Sequence, residues 1–443
     1  MVRTLPNQGV VEKKWRIANN ATRFAVVACG PSILFCGGAL LPLDVAIAQD
    51  MHGSEPADTA GNRAQPAYDA VGIRLGSIRV LPTLGLTGSW DSNVLASSDD
   101  AVSDFSATLV PAVRAEWNNP RRQISLNGEM RIRRYAELHR QNDEQYRAQA
   151  AARFEISDNT AISANLGWAN VTATRGTFEN GFQVGDPLRM REVNADLSVL
   201  QRFNRLTVVA SASASRFRYG DVRLDDGTSI DQSFRNGHQI GGSLRARYVV
   251  GPRLSLVSRV TANKFDYSDP DPLTNRNATA YAVTGGISYE LTQLLEAEVD
   301  AGIQKHNFRN PAFGDISGLA LNARLRWYPT PLLTVRFDVS QRTTTSSFNA
   351  TSAVAVTSGR LAADYELRRN LLISADVNYS HEKYGAGDNV SGLLTLSGQA
   401  AWKANRWLRV TGRASYDRRG SNSDVTIPEF DALRFMLTLT VAR

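Results

Sequence analysis

The chain has 443 residues, of which 21% are charged and 42% hydrophobic, with a formal charge of +7. That balance excludes a disordered chain and a helical membrane protein, and two cysteines exclude a disulfide framework. The 50 basic residues divide into 44 Arg and 6 Lys, a surplus that suits a nucleic-acid binder only if it gathers into one patch.

Residues 1–48 read as a signal peptide. Arg3, Lys13, Lys14, Arg16 and Arg23 precede an apolar run from Phe24, and Ala46-Ile47-Ala48 supplies a small-residue cleavage site. A retained N-terminal anchor is the plainer alternative. Cys29 and Cys36 both fall in this segment, so the exported chain would be free of thiols and would carry a charge of about +4. Residues 49–77 follow as a periplasmic linker and lead-in segment. The part up to Val71 is rich in Ala, Gly, Pro, Asp and Glu and has no periodicity, as a flexible linker does.

From Ile78 onward one rhythm runs to the end. About ten residues alternate apolar and polar, then a connection follows, which is the period of a strand with one apolar face. On 124–132, Ile124, Leu126, Gly128, Met130 and Ile132 oppose Ser125, Asn127, Glu129 and Arg131. On 295–303, Leu295, Ala297, Val299, Ala301 and Ile303 oppose Glu296, Glu298 and Asp300. The last strand sets Leu433, Phe435, Leu437, Leu439 and Val441 against Arg434, Met436, Thr438 and Thr440. The repeats predict about 18 strands (16–18) in residues 78–443, ending for example at 305, 342, 381 and 416 on their longer-loop side.

Short connections such as 157–159 and 292–294 alternate with long ones such as 170–187 and 219–233. Short turns at one end and long loops at the other predict an all-β fold: a single-chain, transmembrane, antiparallel up-and-down β-barrel. A soluble β-sandwich also alternates, but its aromatics sit mid-strand. Here they gather at strand ends: Trp117, Phe203, Tyr248, Trp327 and Trp402 on the short-turn side, and Trp90, Tyr135, Trp168, Phe217, Phe265, Phe308 and Tyr379 on the long-loop side. Two such belts are expected at the headgroup levels of a bilayer. Lipid satisfies no backbone polar group, so the sheet must close, and a ring of this size encloses water.

The polar face would then line a lumen. Its candidates are Glu129, Arg131 and Arg133 on one strand and Arg153 on the next, followed by Arg245 and Arg247. Glu298 and Asp300, then Arg324 and Arg326, then Arg409 and Arg413 continue it. Cross-strand ion pairs are the ordinary fate of such residues. Any Arg left unpaired would bias the pore toward anions. The sequence holds no G-x-S-x-G, no H-E-x-x-H and no P-loop, and His139, His238, His306 and His381 are scattered. No catalysis, cofactor, metal site or nucleic-acid partner is expected. The expected partners are the lipid bilayer, lipopolysaccharide and the barrel-insertion machinery.

The stretch Tyr68-Asp69-Ala70-Val71-Gly72-Ile73-Arg74-Leu75-Gly76, with Pro82 and then Asp91-Ser92-Asn93-Val94, resembles the opening of the "putative β-barrel porin 2" family of Gram-negative outer-membrane proteins. Tyr68, Asp69, Gly72, Arg74, Gly76, Asp91 and Asn93 carry the match over some thirty residues. Ile78 stands where the family usually has an aromatic, and the chain ends Val441-Ala442-Arg443 where outer-membrane barrels usually end in Phe. The resemblance implies an outer-membrane barrel, and for some members a link to exopolysaccharide or capsule export. The leading expectation is therefore a pore in the outer membrane for polar solutes or for surface polysaccharide, with export components as further partners. A structural or adhesive surface protein with a plugged lumen is the competing one.

Overall fold

A computed structural model describes residues 59–443, apart from 178–179, 181–184, 225, 270, 272–274, 346–352, 386–388 and 423–428. The segment read as a signal peptide, and residues 49–58, lie outside the described residues.

Eighteen strands carry the alternating stretches. They are β1 (Ile78–Asp91), β2 (Asp104–Asn119), β3 (Arg122–Tyr135), β4 (Asp143–Ser157), β5 (Thr160–Thr172) and β6 (Arg189–Phe203). Next come β7 (Leu206–Tyr219), β8 (Gly237–Val249), β9 (Leu254–Tyr267), β10 (Ala278–Thr292), β11 (Leu295–Phe308) and β12 (Ile316–Thr330). The last are β13 (Leu333–Thr345), β14 (Ala353–Arg368), β15 (Leu371–Tyr384), β16 (Val390–Lys403), β17 (Leu408–Ser421) and β18 (Phe430–Ala442). Each pairs antiparallel with the next, and β18 returns to β1 over a register running from Thr83↔Ala442 to Asp91↔Arg434. The ring is closed, so it has no free edge. Pro82, which has no N–H to donate, sits on β1 one residue outside that closing ladder.

The faces are inverted relative to a soluble protein. Leu433, Phe435, Leu437, Leu439 and Val441 of β18 are all exposed. On β11, Val299 and Ile303 are exposed while Glu298 and Asp300 are buried. Such an outer belt is stable only against an apolar solvent. The alternate residues face the interior.

Strands run from 13 to 16 residues, more than the sequence pattern predicts. The excess lies at the long-loop end, where β11 reaches 308, β13 reaches 345, β15 reaches 384 and β17 reaches 421. Beyond the apolar solvent both faces are wet, so pairing continues while the alternation stops. The long-loop aromatic belt also differs from expectation. Phe217, Phe265, Tyr135 and Phe308 share parity with the inward residues of their strands. Phe217 packs edge-on to Tyr267 at 5.8 Å, and Phe265 stacks on His306 at 6.4 Å. The outer belt at that end is Trp90, stacked on Phe435 at 6.0 Å, with the exposed Phe105, Trp168, Tyr281 and Tyr379.

One corner of the wall depends on glycine. A Cβ on inward-facing Gly302 would lie 1.8 Å from the Val283 carbonyl oxygen, and one on Gly286 would lie 1.9 Å from that of Val299. Only glycine lets β10 and β11 bend together that sharply.

Candidate pore: the inner wall and its two mouths

Most sequence-predicted wall residues are held in ion pairs. Arg245 on β8 donates to Glu298 on β11 at 2.6 Å, with both side chains under a tenth exposed. Arg326 donates to Asp338 at 2.9 Å, and Arg131 to Glu129 at 3.2 Å. Arg133 lies 3.6 Å from Asp143 and donates to the Tyr135 hydroxyl, while Arg153 lies 3.8 Å from Glu155. Asp300 accepts from the Asn322 amide at 3.1 Å. Arg247 neighbours Arg245 two residues along β8, and Arg413 sits on β17 opposite Gln399 and Met436. Arg324 stands between Glu298 and Asp338 in the register yet forms no ion pair among the described residues. Arg409, opposite Lys403 and Thr440, forms none either. The wall therefore mixes paired charges with open guanidiniums, Arg324 and Arg409 among them.

Between the ion pairs run ladders of side-chain amides that end on a carboxylate. Gln149 donates to Asn165 at 2.8 Å, and Asn165 and Asn194 both donate to Asp196 at 3.2 Å. These groups offer donors and acceptors to water or to hydroxyl-rich solutes.

At the long-loop mouth, the connection between β5 and β6 turns inward. The Gly176 carbonyl, reached through a left-handed backbone (φ 69°), accepts from Arg419 Nε at 2.9 Å. Arg419 lies on β17, six strands away around the ring from β5. Its guanidinium also grips Glu382 with two bonds of 2.8 and 3.2 Å and donates to the Ser391 hydroxyl at 2.7 Å. Tyr384 donates to the same Glu382 carboxylate at 2.6 Å. Arg419 is wholly buried. Beside it Ala96, from the loop after β1, packs on Leu393, Phe430 and Ala432. Further round, Arg140 donates to Asp186, and Arg175 to Gln141 and the Gly185 carbonyl, tying adjacent loops together. Arg276, in the loop after β9, lies 5.4 Å from the Phe234 ring, and burial pulls its guanidinium down to about 10.

At the short-turn mouth, the lead-in segment lies along the inner rim. The Ala60 N–H donates to Thr334 Oγ1 at 3.2 Å. Arg63 bridges Glu366 at 2.7 Å and the Pro331 carbonyl, and Gln65 reaches the same Glu366. Asp69 takes Lys403 Nζ at 2.6 Å and closes a turn onto the Gln65 N–H. Thr334, Glu366 and Lys403 all belong to the inward face. The stretch expected to be a flexible linker is thus docked from Thr59 onward.

The motif residues explain themselves here. Gly72 (φ 77°) has the Val80 carbonyl 3.0 Å from where a Cβ would stand. Gly76 (φ 62°) makes the turn by which Ile73–Leu75 folds back on β1, setting Arg74 opposite Arg79. Tyr68 N donates to the Gln65 carbonyl in the docked turn. Asp91 binds Arg434 at 2.6 Å and caps the Asn93 N–H. Buried Asn93 donates to the Ser97 and Asp431 carbonyls and fixes the first loop. These residues build both mouths.

Sequence reasoning missed Arg419, Glu382, Arg63 and Glu116, which binds Arg79 and Arg114. Arg419 shares parity with Arg409 and Arg413, so carrying the alternation six residues further would have found it. Nothing in the linker composition marks Arg63.

The family described as "putative beta-barrel porin 2" matches residues 65–443. No curated protein matches the chain. Among solved structures, the copper transporter OprC is 12% identical with a TM-score of 0.45, over 84% of this chain and 81% of that one. The ferric enterobactin receptor PfeA of Pseudomonas aeruginosa is 8% identical with a TM-score of 0.44, over 85% and 81%. OpdK of Pseudomonas aeruginosa, solved with vanillate, is 11% identical with a TM-score of 0.42, over 82% and 99%.

Proposed function

From the premise that the chain belongs to the "putative beta-barrel porin 2" family of outer-membrane barrels, we propose that it is a selective channel for polar, hydroxyl-rich solutes, with surface polysaccharide as its cargo. One observation carries the reading: chain turns inward at both mouths and is anchored there, outside by the Arg419 hydrogen bond to the Gly176 carbonyl and on the periplasmic side by the Arg63–Glu366 ion pair. An unobstructed diffusion pore needs no such anchors. Between them the wall offers fixed Arg forks and Asn, Gln and Ser side chains, which suit sugar hydroxyls and carboxylates. Arg324 and Arg409 are the residues through which the field favours anions.

The same inward chain also favours the second reading, a plugged surface protein that displays its loops. Planar-bilayer recording separates the two. A channel gives discrete, anion-biased conductance that long glycans block. Complete silence, including after release of the 59–69 segment by substitution, leaves the plugged protein as the reading.

The domain scheme belongs to this proposal: residues 1–48 removed on export, 49–77 a periplasmic linker and lead-in segment, 78–443 the barrel, and assembly by the barrel-insertion machinery. N-terminal sequencing of the outer-membrane form checks it, and a start at Gln49 is the expected result.

A further inference from the structure

On two neighbouring strands of this barrel, arginines point away from the pore. On β6 the outward residues are Arg189, Arg191, Val193, Ala195, Leu197 and Val199, and on β7 they are Leu206, Val208, Ala210, Ala212, Ala214, Arg216 and Arg218. The apolar members form the lipid-facing band. From Leu206 to Ala214 the chain climbs eight residues, about 20 Å for a strand tilted near 40°. Arg216 is the next outward residue, so it stands at the extracellular headgroup level. Exposed Trp168 lies two strands away in the same ladder row and marks the headgroup region, since Trp168 pairs with Val193 and Val193 with Arg216. Arg191 and Arg218, one step higher, are direct cross-strand partners.

Like charges placed directly opposite destabilise a sheet. Elsewhere on this rim acids answer the bases: Glu144 for Arg134, Asp266 for Lys264 at 2.5 Å, and Asp315 for Lys305 at 3.0 Å. Arg191, Arg216 and Arg218 are exposed and form no ion pair or hydrogen bond among the described residues. We propose that these three side chains form a binding site for the phosphorylated sugar headgroup of the outer-leaflet glycolipid. Phosphate oxygens accept bidentate guanidinium forks, and the acyl chains of the same molecule lie along Val193, Leu197 and the alanines of β7. The site is independent of what passes through the pore.

The test is titration of the purified full-length barrel in detergent with bisphosphorylated lipid A, read by native mass spectrometry. The unaltered protein is expected to retain the lipid, and dephosphorylated lipid A to bind at least tenfold more weakly. The variant R191Q/R216Q/R218Q should lose on the order of a hundredfold in affinity, since each surface base contributes about one factor of five to ten. R191K/R216K/R218K should keep most of it, and R122Q, at the opposite rim, all of it. Heat-modifiable migration on gels confirms that each variant folds, and the single change Arg216→Gln serves if the triple one does not. Equal retention by the glutamine variant overturns the proposal, as does equal binding of the dephosphorylated lipid. Displacement by millimolar inorganic phosphate alone overturns the glycolipid assignment.

Discussion

Exposure, more than distance, separates the ion pairs of the inner wall. Arg245–Glu298 is shut off from water, whereas Arg326–Asp338 is 20% and 38% exposed at a comparable 2.9 Å. Removing one partner of a buried pair strands the other charge, a loss of about 3–5 kcal/mol. Glu298→Ala should therefore lower the unfolding midpoint in urea strongly, while Asp338→Ala should cost less than about 1 kcal/mol. Equal effects would mean that water reaches both pairs alike. Arg324 and Arg409 are the converse case, charges without a structural partner. Arg324→Gln and Arg409→Gln should leave urea stability nearly unchanged. Each should move the reversal potential in a salt gradient toward cation preference. An unmoved reversal potential would assign the anion field to other residues.

A strand or loop obeys rules that no single residue shows. The corner between β10 and β11 predicts that Gly302→Ala costs about 3 kcal/mol or more, because the new Cβ meets a backbone carbonyl that cannot rotate away. Gly285→Ala, whose Cβ would point into open space, should fold like the unaltered chain, with folded yield on unheated gels as the readout. The barrel itself was legible because lipid outside and water inside impose period two on every crossing. Thus Leu433 to Val441 were placed outward from the pattern alone, and the structure agrees. Legibility fails where that contrast fails. Above the membrane β17 runs on to Ser421 and hides Arg419. Phe217 and Phe265 look like belt residues by position but face inward by parity. The docked turn at 59–69 is polar chain against polar wall, so composition reads it as linker. Long-range contacts such as Arg63–Glu366, 303 residues apart, leave no local mark.

At the scale of the whole molecule, the barrel is a closed ring with chain docked at both of its rims. The β18–β1 seam closes the wall through backbone pairing, with the Arg434–Asp91 ion pair across it at one end. Other inward-facing charges hold the chain that enters the mouths. On the periplasmic side two ion pairs are among the contacts that fasten residues 59–69 to opposite flanks of their track: Arg63 to Glu366 of β14, and Asp69 to Lys403 of β16. Each pair keeps at least one side chain more than a fifth exposed, so each stabilises the docked state by about 1 kcal/mol. Such a latch yields to modest competition at the rim, whereas the wall does not. Arg63→Ala combined with Lys403→Ala should therefore shift the docked–undocked balance by about 2 kcal/mol, a factor near thirty. Single-channel records should show a higher open fraction or larger unitary conductance, with thermal unfolding of the barrel unchanged. Salt should act in the same direction on the unaltered protein and have little effect on the double variant, because screening weakens what the substitutions remove. If conductance stays the same while the segment becomes sensitive to protease, the lead-in chain docks beside the permeation path and does not obstruct it.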